Sequence, residues 1–135
     1  MASLHREIEV DVPADAAWRA VADVGATDKL FPGVLVACRL EDGARVVTFA
    51  NGLVARELIV DVDAARRRLA YAVVGSERLT HHHATFKVEP TGPGTCRIDW
   101  HADFLPDAMR QAISGLMDMG AAAMPRGLRA AVENA

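Results

Sequence analysis

Aromatic side chains are scarce in this sequence, with four Phe, two Trp and one Tyr among 135 residues. Its apolar mass is instead mainly Ala, Val and Leu. There are only two cysteines, Cys38 and Cys96, far apart and without a CxxC pair. That excludes a disulfide framework and predicts two free thiols in strands or core. No run approaches the ~20 apolar residues a membrane helix needs. No basic segment followed by an apolar stretch opens the sequence, so no secretory leader is expected. Together these absences predict a soluble, cytoplasmic protein. A net charge of -3 with mixed signs excludes the basic footprint of a nucleic-acid binder. The one basic cluster, Arg66 to Arg68, follows "DVDAA" and is expected to be the solvated tip of a hairpin. No nucleophile–base pair, phosphate loop or metal cage stands out, and no cofactor is expected.

The length suits a single domain, residues 1–135, able to bury one core. "LHREIEVDV" alternates apolar and charged residues and predicts a half-buried strand. "PADAAWRAVAD" follows, with Pro13 and Asp15 suited to a first helical turn and Trp18, Val21 and Ala22 on one face. "VGATDKLFPGV" predicts a short helix or turn. Six strands are then expected: Val34–Leu40, Arg45–Phe49, Leu53–Val62, Arg68–Val74, Leu79–Val88 and Thr95–Phe104. Their hairpin-length loops predict an antiparallel meander. From Pro106 the apolar residues Ile113, Leu116, Met117, Gly120, Met124 and Leu128 recur at helical spacing. Pro125 is expected to kink that helix or break it near residues 121–124.

A curved antiparallel sheet must cover its apolar face, and this last helix is the one large element left to do so. The fold class is therefore α+β, a seven-stranded antiparallel sheet in the order β-α-α-β6-α gripping a C-terminal helix. The small residues of "GAAAM" are expected to widen the gap between the layers into a cavity.

"VDVPADAAWRAVADV", "VTFANGLVARELIVDVDAARRRLAYAVVG", "RLTHHHATF", the Trp100–Phe104 segment and "LPDAM…GAAAM" together resemble the START-like, helix-grip superfamily, also labelled SRPBCC or polyketide cyclase and lipid transport. The resemblance covers nearly the whole chain. It implies a helix-grip fold with an internal ligand cavity. The superfamily holds lipid carriers, hormone receptors, cyclases, oxygenase domains and chaperone activators.

The faces of each strand follow from its two-residue period. Cys96, Ile98, Trp100, Ala102 and Phe104 should face inward, as should His82, Ala84, Phe86 and Val88, and Leu69, Tyr71 and Val73. Neighbouring strand residues point to opposite faces, so "HHH" at residues 81–83 cannot act as one group. His82 is expected in the cavity. His81 and His83 are expected outside, with His83 near His101 and His81 near Asp103. That outer patch is expected to be a solvated face, and no metal site is assigned.

The turn after Phe49 admits two registers. A three-residue loop, Ala50-Asn51-Gly52, puts Arg45 opposite Glu57 on the inner face. A two-residue Asn51-Gly52 turn puts Arg56 there instead, and the pattern Val54, Leu58, Val60, Val62 favours it. The resemblance favours the first, because the superfamily's plant abscisic-acid receptors point a glutamate of the corresponding strand at the ligand. The cavity would then carry Arg45, Glu57, Tyr71 and His82 as polar groups. Its apolar lining would be Phe31, Phe49, Trp100, Phe104, Ile113, Leu116, Met117, Gly120 and Met124.

The expected function is to bind or carry a small hydrophobic or aromatic molecule with a polar end, the protein being a monomer or homodimer. The alternative is a cyclase-, dehydratase- or isomerase-type enzyme in which Glu57 or His82 is the general base and Arg45 or Tyr71 steadies an enolate. A third reading is an interaction module, which predicts a filled cavity and an exposed apolar stripe.

Overall fold

The computed structural model describes residues 1–135. Strand β1 (Ala2–Val10) leads into helix α1 (Ala14–Ala22) and a 3-10 segment, Val24–Leu30. Six strands follow: β2 (Leu35–Glu41), β3 (Ala44–Phe49), β4 (Val54–Asp63), β5 (Arg68–Val74), β6 (His81–Gly92) and β7 (Thr95–Leu105). Helix α2 (Arg110–Glu133) closes the fold. All seven strands form one antiparallel sheet in the order β1-β7-β6-β5-β4-β3-β2. This is the helix-grip arrangement, with α1 and α2 against the inner face.

The alternation of β1, β6 and β7 becomes the core directly. Ile8, Val10, Ala84, Phe86, Val88, Cys96, Ile98, Ala102 and Phe104 are all buried, and they pack with Trp18 and Val21 of α1 and with Met124 and Leu128 of α2. At ~25 cal/mol per Å² of apolar surface, each fully buried Leu or Phe among them stabilises the fold by about 2–3 kcal/mol. Cys38 and Cys96 are free. Arg67 sits at positive φ at the β4–β5 tip and bonds Asp15 of α1 at 2.7 Å, while Arg66 bonds Asp63. The basic cluster thus caps a hairpin.

Two expectations about α2 are corrected: that Pro125 would break it, and that its small residues would hold the layers apart. The helix runs unbroken through Pro125. A proline deletes one backbone donor, and here Met124 and Leu128, both fully buried, hold the turns on either side of it. The small residues also bring the layers together where a wider gap was expected. A Cβ on Gly120 would lie 2.9 Å from Trp100, and one on Gly127 would lie 2.3 Å from the Leu30 carbonyl oxygen. Glycine at these two places lets the Trp100 ring and the 3-10 segment approach the helix backbone.

The β6–β7 hairpin extends to Gly92–Thr95, with an irregularity after Pro90. Its register pairs His83 with Asp103, His81 with Leu105 and His101 with Thr85. The expected pairs, His83 with His101 and His81 with Asp103, do not form, because the hairpin is longer than Val88 and its irregularity offsets the ladder.

Candidate functional site

Sheet and helix do not close on each other everywhere. A cavity of about 640 Å³ opens between β3–β6, the 3-10 segment and the N-terminal half of α2. That lies within the ~300–1,000 Å³ usual for small-molecule sites. Leu53 of the β3–β4 loop, Gly75 to Leu79 of the β5–β6 loop and Met109 are part of its lining.

The turn after Phe49 decides which charges enter it. The Leu53 carbonyl accepts from the Phe49 N–H at 2.8 Å, the Phe49 carbonyl accepts from the Gly52 N–H at 2.9 Å, and Gly52 has φ +90°. This is the three-residue loop, and it sets Arg45 opposite Glu57. The price of that register is visible outside: Val54, Leu58 and Val60 are 58 %, 42 % and 48 % exposed.

Arg45 is 2 % exposed, and its Nε donates to Glu57 Oε1 at 2.7 Å. Its guanidinium carbon stands 5.1 Å from the centre of the Tyr71 ring, a cation–π contact. Its Nη1 is buried without any hydrogen-bond partner. An unmade bond of this kind costs about 1–3 kcal/mol. Burial pushes the Glu57 carboxyl above the usual carboxylate range, and the Arg45 guanidinium pulls back part of that rise.

Tyr71 and His82 complete the polar wall. The Tyr71 hydroxyl accepts from the Trp100 indole N–H at 3.1 Å, and burial raises its own pKa. The β5–β6 ladder stops at Tyr71–Ala84, although β5 runs on to Val74. Beyond it the Val73 N–H finds a side chain in place of a strand partner, donating to His82 Nδ1 at 3.3 Å. The lone pair of Nδ1 is thereby engaged, so the neutral ring carries its hydrogen on Nε2. Desolvation, aided by His81 and His83, pushes the His82 pKa down to about 4, which keeps it neutral at physiological pH.

The aromatic residues, few as they are, collect here. Phe31, Phe49, Tyr71, Phe86 and Trp100 all line the cavity. Tyr71 stacks on Phe86 at 5.7 Å, Phe86 on Trp100 at 4.9 Å, and Phe31 lies 5.9 Å from Trp100.

Of the residues expected in the site, Phe31, Arg45, Phe49, Glu57, Tyr71, His82, Trp100, Ile113, Leu116, Met117 and Gly120 line the cavity. Phe104 and Met124 do not. Both are 0 % exposed and belong to the packed core, because the layers meet before the cavity reaches them. Leu35 and Leu79 line it without having been expected to, and Phe86 and Val73, expected on the inner face, line it as well. For Phe86 the signal was present, since it alternates with His82 and Ala84 on one face. On the opposite face of the sheet, His5 Nε2 lies 3.9 Å from Asp99 beside Glu7, and Asp99 is held by Arg97 through two bonds.

The chain matches, over residues 1–135, the family model described as polyketide cyclase / dehydrase and lipid transport, and it belongs to that family. Its fold is START-like, and the family's description spans cyclases, dehydrases and lipid transport. Among solved structures it resembles XoxI from Bacillus cereus, with 16% identity, TM-score 0.85, and coverage of 95% of this chain and 96% of that one. A Thermobifida fusca protein solved by NMR shares 29% identity, TM-score 0.78, with coverage of 95% and 91%. A START superfamily protein from Mycobacterium smegmatis shares 15% identity, TM-score 0.75, with coverage of 98% and 97%. No curated protein matches the chain. No helix is long and apolar enough to cross a membrane.

Proposed function

We propose that this protein binds and carries a small, mainly apolar molecule in the cavity and orients it by a polar end placed against Arg45, Glu57, Tyr71 and His82. The observation that carries this reading is the buried Arg45–Glu57 pair lining, with Tyr71 and His82, a roomy and mainly apolar cavity. A structural ion pair alone would satisfy its own donors, since an unpaired buried donor is a cost folding ordinarily avoids. Apolar walls with a few convergent polar groups are the usual make-up of such sites. The cavity is open, which weighs against the filled interior of an interaction module.

The second reading is an enzyme that abstracts a proton α to a carbonyl. The observation favouring it is Glu57, a carboxyl in the cavity lining that burial raises above the usual carboxylate range. Glu57 would take the proton, while Arg45 and the Tyr71 hydroxyl steady the enolate oxygen. His82 fits a donor better than a base, its Nδ1 lone pair being engaged by Val73.

Native mass spectrometry of the freshly purified protein tests the carrier: one bound small molecule at unit stoichiometry is expected. Glu57→Gln then separates the two readings. A carrier keeps binding with altered affinity, whereas an enzyme keeps binding and loses turnover. A protein that never retains or binds a small apolar molecule contradicts both.

A further inference from the structure

The outer face of β1, β7 and β6, turned away from the cavity, holds polar chemistry that the pocket does not use. In β1 the run His5-Arg6-Glu7, and in β7 the run Asp99-Trp100-His101, each put two ligand-type side chains two residues apart, hence on one face of a strand. Arg6 and Trp100 between them turn inward, Arg6 to Asp118 and Trp100 to the cavity. The antiparallel register sets His5 opposite His101 and Glu7 opposite Asp99. These side chains stand at the corners of one square, with cross-strand neighbours ~5 Å apart and same-strand neighbours ~7 Å apart.

Three of the corners converge. One ligand atom each from His5, Glu7 and Asp99 lies within 4.8 Å of the other two, and His5 Nε2 is 3.9 Å from Asp99 Oδ1. Donors bound tetrahedrally to one zinc ion lie about 3.3 Å apart, so a modest turn of the exposed His5 and Glu7 side chains closes the set. Asp99 is the fixed corner, because Arg97 donates to both its oxygens, at 2.8 and 3.1 Å. Such an outer bond orients a ligating carboxylate and leaves lone pairs on each oxygen. His101 is engaged elsewhere, its Nε2 lying 2.8 Å from Ser3 Oγ and 3.4 Å from Asp103.

Charge favours a cation here. Glu7 and Asp99 are carboxylates placed directly opposite each other, a pairing that repels, and Arg97 offsets only part of it. Across this face Glu7, Glu9, Glu89, Asp99 and Asp103 outnumber the two fixed cations, Arg97 and Lys87.

We propose that the outer face binds one divalent transition-metal ion of the zinc class through His5, Glu7 and Asp99, with water completing its coordination. An imidazole among the ligands suits zinc or nickel, whereas calcium and magnesium take oxygen sets. The ion clamps β1, an edge strand, to β7.

Isothermal titration calorimetry of the untagged, metal-stripped protein with zinc chloride tests this. One ion per chain is expected. His5→Ala and Asp99→Asn should each weaken binding by about tenfold or more, since even losing a partner behind a ligand costs that much. His83→Ala, on the same face in β6, should leave the affinity unchanged, and calcium chloride should bind far more weakly than zinc. Zinc should also raise the melting temperature of the parent protein and not of His5→Ala. Circular dichroism checks that each variant is folded. The proposal is overturned by no saturable zinc binding below about 1 mM, by binding that survives His5→Ala, by binding lost in His83→Ala, or by calcium binding as tightly as zinc.

Discussion

The two halves of the sheet solve different problems with the same alternation. Along β1, β7 and the Val88 end of β6, inward residues such as Ile98, Val88 and Phe104 meet Met124 and Leu128 of α2 with at most 1 % of their surface left exposed. Along β3, β4 and β5, the inward residues Phe49, Glu57 and Val73 are only partly buried and face an opening of about 640 Å³. The first half's inner face carries Arg6, which is paired with Asp118 of α2, whereas the second holds Arg45 and Glu57 in the lining of the opening. One end of the domain is built to be stable, and the other forgoes packing to keep room beside polar groups. Gly120 marks the boundary, since Trp100 rests against it with one edge and also lines the cavity.

The sharpest way to break the comparison is to cut a large side chain from each half. Phe104→Ala should cost about 3–5 kcal/mol in urea unfolding, the range for a fully buried aromatic. Phe49→Ala should cost about 1 kcal/mol, because it already borders open space. Equal losses would show the hollow half to be packed. Acid should act on the hollow half next. His82, with an unfolded pKa near 6.5 and a folded value of about 4, is held neutral in the native state. Its contribution is therefore present above pH ~6.5 and is lost as pH falls toward 4, on the order of 3 kcal/mol in all. His82→Phe should flatten that slope in a pH series of chemical unfolding.

Gly127→Ala comes third, at about 2 kcal/mol, since its Cβ would press on the Leu30 carbonyl and backbone yields reluctantly. Gly120→Ala should have the smallest effect on stability, within ~1 kcal/mol, because the Trp100 ring can move into empty space. It should instead weaken binding of 2-acetylnaphthalene several-fold, measured by calorimetry, as Trp100 is pushed across the cavity.

The sequence made the solid half easy to read. Period-two alternation in β6 and β7 named the buried residues correctly because apolar side chains there do face inward. The same logic misled in β4, where Val54, Leu58 and Val60 form the more apolar stripe yet lie on the outer face, and the Arg45–Glu57 pair is turned inward. What decided that register was one glycine at positive φ in a three-residue loop, a backbone property that hydrophobicity does not record. The limits of the cavity were illegible for a related reason. Phe104 and Met124 carry the same inward pattern as Trp100 and Met117, and only the distance between sheet and helix at each level separates core from lining. The engagement of His82 Nδ1 by Val73 depends on where the β5–β6 ladder stops, which no residue pattern announces.

The most direct test is a two-dimensional NMR titration of the labelled protein with 2-acetylnaphthalene, following backbone amides. Saturable shifts should gather at Phe49, Glu57, Val73, His82 and Leu116 and leave Ile8, Val88 and Ile98 unmoved. Shifts spread evenly over both halves, or no saturable shift at all, would contradict a molecule that is solid at one end and receptive at the other.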